Sequence, residues 1–312
     1  MPALPQHALP QRGVGSEGDV TFIEIGRRNH LLYLVLPHPL KIALLSADSH
    51  AKLERINLAF NEQAYSGEAA TRYDELHRYA EAEQHEYPGK LLVADVWARE
   101  NYGRALELGA GSGYFTALIA RQARSVLAVE PVADLATVLR SRCEAEGLDN
   151  VQVVDASALD LDRLVDPGSV DSAFVIQSLH HFHRRPEVFA SLGRAVRPGG
   201  RLLLLEPHHN LRRVVRLFRT WRRSYRPRGL AKLEQHWATH DFLTRGEVRA
   251  LCRQGGFERV RIEGYWVPYA RRLVPSPERR YRLERALGRI PGVRHFAGVL
   301  AVEARRGVRG PA

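Results

Sequence analysis

The stretch Arg104-Ala-Leu-Glu-Leu-Gly-Ala-Gly-Ser-Gly-Tyr-Phe-Thr-Ala-Leu-Ile-Ala120 constrains this 312-residue chain more than any other, because an apolar run, three alternating glycines and a second apolar run follow without a break. It reads as a short buried strand, a tight turn and the start of a helix. Gly109, Gly111 and Gly113 let the backbone turn sharply and pass close to a ligand, where a side chain would collide or forbid the backbone angles. Ala110 lies between them, and Glu107 sits at the strand's end facing the same space. A dinucleotide fingerprint, G-x-G-x-x-G, would need glycine at 114 or 116, and these are Tyr114 and Thr116. The pattern present is E-x-G-x-G-x-G, a nucleotide-cofactor turn of another kind.

Four more strand-to-loop units follow in order. Ser125 to Glu130 is apolar and ends in a carboxylate, with Pro131 after it; Asn150 to Asp155 repeats the pattern, followed by Ala156 and Ser157. Val170 to Phe182 runs through Gln177, His180 and His181, and Ala195 to Pro207 carries a Pro-Gly-Gly turn into four leucines. Helical stretches such as Pro131 to Glu146 and Pro186 to Val196 separate them, and that alternation implies a parallel sheet. A single acid at a strand end is as often a helix cap or a turn residue; five consecutive units are far less ambiguous.

This succession resembles the class I S-adenosylmethionine-dependent methyltransferases over about residues 70–304. The resemblance implies an α/β fold, a doubly wound seven-stranded sheet, mostly parallel with an antiparallel last strand, in which Phe257–Ile262 and Phe296–Ala304 are strands six and seven. It implies S-adenosyl-L-methionine as cofactor and S-adenosyl-L-homocysteine as product. Glu107, Gly109, Ala110, Gly111 and Gly113 would flank the methionine portion, and Glu130, followed by Pro131, would accept from the ribose hydroxyls. Asp155 and Ala156 would meet the adenine, and Gln177 lies in the loop over the reacting methyl. Tyr73, with Asp74, matches an N-terminal helix that closes over the cofactor, and equally fits mere packing of that helix onto the sheet.

Fourteen histidines are the next unusual feature. His180, His181 and His183 follow the fourth strand, His208 and His209 the fifth, and His236 and His240 lie in the insert beyond. C-terminal strand ends frame the ligand crevice of such a sheet. O-methyl transfer removes a hydroxyl proton, for which imidazole is the natural base. His181 is the first candidate, His208 the second, and His180 is either catalytic or packed beneath the cofactor. His236-x-x-x-His240 lacks the glutamate of H-E-x-x-H, so no metal is expected. The acceptor is read as a small-molecule or lipid-like compound. The fourth strand runs into Gln177-Ser-Leu-His-His181, unlike the Asn/Asp-Pro-Pro-aromatic motif of amino-methylating DNA enzymes, and neither Cys143 nor Cys252 is placed as the nucleophile of cytosine C5 methylation. Non-methylating chemistry on the same cofactor, such as its cyclisation, fits the turn equally well, as does a regulatory binding module.

A net charge of +11 raises the question of nucleic acid, yet the charge is local. Leu211 to Arg228 holds eight arginines and no acid, and Arg271 to Ala312 eleven arginines against three glutamates, so the remainder of the chain is net acidic. Leu211, Val214, Val215, Phe218, Trp221 and Tyr225 recur every three or four residues, with arginines on the other side, and Asn210 caps the run. This amphipathic helix over 211–226 is expected to form a lid with a solvated arginine face, with contact to an anionic membrane surface as the alternative. Two cysteines give no disulfide framework, and the absence of a signal-like or membrane-spanning stretch points to a cytoplasmic protein, peripheral to a membrane at most. The expected organisation is a disordered tail at 1–19, an extension at 20–90 with a hairpin (Val20–Ile25, Leu31–Leu36) and helices near 49–64 and 68–86, a cofactor domain at 91–304 with inserts at 208–245 and 264–292, and a tail at 305–312. Oligomeric state and the identity of the acceptor are not legible.

Overall fold

The computed structural model describes residues 35–44, 46, 51, 65–78, 88–216, 241–267 and 269–308. Seven described segments form one sheet: β1 (Gly103–Leu108), β2 (Ala123–Glu130), β3 (Val151–Asp155), β4 (Val170–Ile176), β5 (Val196–Pro207), β6 (Phe257–Tyr265) and β7 (Val299–Arg306). Their order is β3-β2-β1-β4-β5-β7-β6. Neighbours from β3 to β5 pair in parallel, while β7 runs antiparallel to both β5 and β6. The direction of winding reverses between β1 and β4, and in an open α/β sheet that switch point opens a crevice at the carboxyl ends of the strands.

Two apolar cores flank the sheet because alternate strand residues point to opposite faces. Leu106, Leu108, Val175, Leu202 and Leu204 pack on one side, and Ala105, Phe174, Ile176, Leu203 and Leu205 on the other. The helices used below are α1 (His38–Leu44), α2 (Glu68–Arg78), α3 (Thr116–Ala120), α4 (Ala133–Glu146), α5 (Arg185–Ala195), α6 (Arg245–Gln254) and α7 (Pro277–Leu287). Their ends follow local chemistry. α4 stops at Gly147, whose φ of 64° lets Gly147 and Leu148 return N–H bonds to Glu144 and Cys143. Pro186 stands in the first turn of α5, where its missing N–H is no loss. Thr244 caps α6, its hydroxyl accepting from the Glu247 N–H at 3.1 Å.

The expected strand and helix units fall within a few residues of these bounds, and β7 extends to Arg306, beyond the expected boundary at 304. Of the second arm of the expected hairpin, Leu31–Leu36, only Val35 and Leu36 are described, and they form a helical residue and a bend, not a strand; α1 follows, with Pro39 in its first turn. The arm at 20–25, the tail at 1–19 and nearly all of 49–64 lie outside the described residues, as do His236 and His240.

One expectation is corrected. Helix 211–216 does form, and Asn210 Oδ1 accepts from the Arg213 N–H at 3.1 Å as a cap. Its apolar residues, however, do not all turn inward: Leu211 is 65% exposed and Val215 42%, while Arg213 is buried. The Arg213 guanidinium lies 3.5 Å from the centre of the Phe242 ring. A cation over an aromatic face competes well with burial of one aliphatic residue, so a partner distant in sequence overrides the local period. Arg212 and Arg216 are solvated as expected, and 217–226 lies outside the described residues. No helix among the described residues is long and apolar enough to cross a membrane.

Candidate active site

The glycine turn between β1 and α3 is left-handed at all three glycines, with φ of 70°, 58° and 84° at Gly109, Gly111 and Gly113. Their roles differ. A Cβ on Gly109 would stand 2.5 Å from Ser178 Cβ, and one on Gly113 2.2 Å from Leu139 Cδ1, so these two let the β4 loop and α4 approach. Among the described residues a Cβ on Gly111 would meet only Tyr73, at 3.6 Å and beyond, which is ordinary contact. Gly111 therefore lies beneath the Tyr73 ring without the crowding of the other two, a cradle that a ligand can enter. Ser112 Oγ, enclosed in the same turn, has no hydrogen-bond partner among the described residues.

Carboxylates line the ends of the first three strands. Glu107 is buried and accepts from Thr116 Oγ1 at 2.6 Å; burial pushes it up to about 8 against that bond, and nearby Glu130 adds to the rise. Glu130 accepts from the N–H groups of Gly111 at 2.8 Å and Val132 at 3.1 Å. Burial holds it near 7 despite these donors. A carboxylate has about four acceptor sites, so two remain for ligand hydroxyls. Asp155 pairs with Glu130 in the β2–β3 register and is exposed; Ala156 donates its N–H to the Glu130 carbonyl at 3.3 Å, and Pro131 is exposed beside it.

α2 covers this turn. Asp74 accepts from Arg142 of α4, and Arg142 Nε donates to the Ser112 carbonyl at 2.9 Å, so one arginine joins extension, helix and turn. Tyr65 and Tyr73 meet edge to face at 5.2 Å, and burial followed by the Glu130 charge lifts the Tyr65 phenol to about 12.

The loop after β4 brings the histidines over the same crevice. Gln177 takes a left-handed φ of 53° and donates its N–H to Leu205 at 2.7 Å. Glu206, buried at the end of β5, accepts from the Ser178 and Leu179 N–H groups at 2.9 and 2.8 Å through Oε1. Its other oxygen, Oε2, lies 2.8 Å from His180 Nδ1, within hydrogen-bond distance. Burial raises the Glu206 carboxyl to about 8, with those backbone donors and Arg185 opposing. The His181 ring is 4.2 Å from that of His180 and edge-on to Tyr65 at 6.1 Å.

His208 lies elsewhere, directly after the end of β5, where it bridges to Leu243. Its Nδ1 donates to the Ala297 carbonyl at 3.0 Å. Burial, then the charges of Arg245, His209 and His295, lower it to about 4 despite that bond. A ring so hard to protonate is a poor proton acceptor at neutral pH. Glu206 lies within the expected fifth strand, Ala195 to Pro207, where the sequence alone suggested no role for it. Nor did the sequence point to the fully buried Arg185, which donates to the Leu179 and Phe182 carbonyls, to Glu247 and to the Asp241 carbonyl. Asp241 itself meets His38 Nδ1 at 2.6 Å, and His209 Nε2 reaches the Val35 carbonyl at 2.9 Å, so the segment around α1 is fastened beside the crevice.

A family model described as a methyltransferase domain matches residues 106–204. A protein-L-isoaspartate O-methyltransferase of Bradyrhizobium sp. is 35% identical over 120 residues, 38% of this chain and 51% of the relative. An S-adenosyl-L-methionine-dependent Diels-Alderase of Talaromyces variabilis is 30% identical over 105 residues, 33% of this chain and 36% of the relative. The chain thus spans about half or less of the length of these curated relatives. Among solved structures, an S-adenosylmethionine-dependent methyltransferase of Thermotoga maritima superposes with a TM-score of 0.51 at 15% identity, covering 76% of this chain and 95% of the other. With the glycine turn, strand order and reversed β7 in place, the chain has the fold of the class I S-adenosylmethionine-dependent methyltransferases, and its residues 106–204 match a methyltransferase domain.

Proposed function

We propose that the protein transfers a methyl group from S-adenosyl-L-methionine to an oxygen of a small-molecule or lipid-like acceptor, with His180 as the base. The observation that carries this reading is the His180–Glu206 contact at 2.8 Å, in the loop that packs against Gly109. Gly109, Ala110, Gly111 and Gly113 would hold the methionine portion of the cofactor, with Glu107 and Gln177 beside it. Glu130 would take the ribose hydroxyls, Asp155 and Ala156 the adenine, with Tyr73 closing from above.

When bound, the cofactor supplies a methyl group made electrophilic by its sulfonium. His180 accepts the acceptor's hydroxyl proton as the oxygen–carbon bond forms and the carbon–sulfur bond breaks, leaving neutral S-adenosyl-L-homocysteine. In its ionised form Glu206 orients the ring and stabilises the imidazolium, the arrangement a general base requires. His181, the leading candidate on sequence alone, lines the same space without that carboxylate. Alignment and exclusion of water by α2 and the β4 loop supply the rest of the acceleration.

Calorimetric titration with S-adenosyl-L-methionine, S-adenosyl-L-homocysteine and NAD tests the first half of this reading: micromolar binding of the adenosyl ligands alone supports it, and binding of NAD or of none removes it. Release of S-adenosyl-L-homocysteine across a panel of hydroxylated acceptors tests the second, with His180→Gln abolishing it and His181→Ala retaining most of it. The likeness to the Diels-Alderase supports a second reading, in which the cofactor binds but its methyl group stays in place. Product mass unchanged by 14 Da, with intact cofactor recovered, would favour that reading.

A further inference from the structure

The edge of the crevice at β5 carries a second group of ionisable side chains that the methyl-transfer reading leaves unused. Arg245, the first residue of α6, is only 6% exposed, and its Nε and Nη2 meet no hydrogen-bond partner among the described residues. Arg294 Nε, closing the helical turn Pro291–Arg294, is enclosed in the same way. Among the described residues, the charges that weigh on Arg245 are those of Arg294 and Arg249, and Arg245 is the largest charge acting on His208. All three are arginines.

An enclosed guanidinium without an acceptor is costly, and Arg185 shows how the cost is met. Arg185, as deeply buried, reaches two carbonyls through Nε, Glu247 through Nη1 and the Asp241 carbonyl through Nη2. At Arg245 the two unfilled nitrogens are the pair on one edge of the guanidinium plane. Their N–H bonds run side by side and match the two oxygens of a carboxylate or phosphate. We infer that Arg245, backed by Arg294, is a subsite for a carboxylate or phosphate group carried by the acceptor.

Position supports the assignment. Leu202, Leu204 and Glu206 alternate along one face of β5, the face covered by α6, and His208 continues that row beside Arg245. The inference rests on the methyl-transfer reading only for naming the carrier of the anion.

Thermal unfolding and calorimetry with inorganic phosphate and with acetate, at constant ionic strength made up with chloride, test the site directly. Wild type is expected to bind one of these with millimolar affinity and to gain melting temperature. Arg245→Gln should lose at least tenfold in that affinity and, with its buried charge removed, melt no lower than wild type without anion. Arg294→Gln provides the second variant, with a smaller loss. Affinity for S-adenosyl-L-homocysteine should stay within twofold throughout. No anion binding by a protein that binds the adenosyl ligand, or equal binding by Arg245→Gln, overturns the subsite. Competition between phosphate and the adenosyl ligand would place the anion in the cofactor's own pocket and overturn its assignment to the acceptor. Failure to bind the adenosyl ligand, with phosphate still bound at Arg245, would sink the methyl-transfer reading and leave the subsite standing.

Discussion

The two halves of the crevice are built on opposite plans. At the ends of β1, β2 and β3, Glu107, Glu130 and Asp155 stand close together, and the buried pair Glu107 and Glu130 is held above the ordinary carboxylate range. Beyond β5, the buried Arg245 lies under the charges of Arg294 and Arg249 and itself acts on His208, and the Arg245 guanidinium and the His208 ring both fall below their ordinary values. Each of these groups sets like charges together in a poorly solvated place, which disfavours them. Such crowding makes sense where ligands of complementary character complete each half. A cofactor with hydroxyls and a cationic sulfur suits the first, and an acceptor bearing an anion suits the second.

The sharpest way to break this comparison is to ask which glycines serve the scaffold and which the ligand. Gly113→Val should cost the fold upward of about 3 kcal/mol, because left-handed strain and a clash with Leu139 add together. Gly111→Ala meets only the backbone strain, about 1 kcal/mol, and should act mainly on cofactor affinity. Urea unfolding beside calorimetry separates the two. If Gly113→Val unfolds at the wild-type denaturant concentration, the turn is not held by α4 as described.

Next in size is Glu206→Gln. The amide still accepts from the Ser178 and Leu179 N–H groups, so the loop stays in place, but it cannot stabilise an imidazolium at His180. Turnover should drop by about 100-fold, or about 3 kcal/mol, with adenosyl-ligand affinity nearly unchanged and a shift of the ascending limb of the rate profile to lower pH marking the lost charge. An unchanged rate profile would reduce Glu206 to a loop support.

The two halves also differ in how far they could be read from sequence. The cofactor half is made of residues adjacent in the chain, Glu107 to Gly113, or at the ends of strands whose apolar runs are plain, so spacing and burial arrive together. The acceptor half is assembled from pieces. His38 meets Asp241 across 203 positions, and Arg185 joins the β4 loop to Glu247 of α6. No local pattern encodes either contact. Glu206 sat in view at the end of four leucines, yet an acid there reads as a turn residue until His180 is seen against it. Arg213 shows the limit of periodicity: its place on the helix predicted solvent, and Phe242 decided otherwise.

The smallest expected effect, about tenfold, bears on the acidic half alone. Glu130 in the folded protein titrates near 7, above the ordinary 4.5, because burial outweighs its two backbone donors. A folded value above the unfolded one means that the unliganded fold loses stability as pH rises from about 4.5 through 7. Ligand binding runs the other way, since ribose hydroxyls donate to the ionised carboxylate and favour it. Affinity for S-adenosyl-L-homocysteine should therefore increase about tenfold between roughly pH 6 and pH 8 and level off above, with the neighbouring Glu107, held at about 8, stretching the upper end of the rise. Glu130→Gln should bind more weakly and show a flatter profile, because its amide carries no proton to lose. A wild-type affinity that stays constant over that range would mean that Glu130 does not meet the ribose, and the acid cluster at the strand ends would then have to be explained by packing alone.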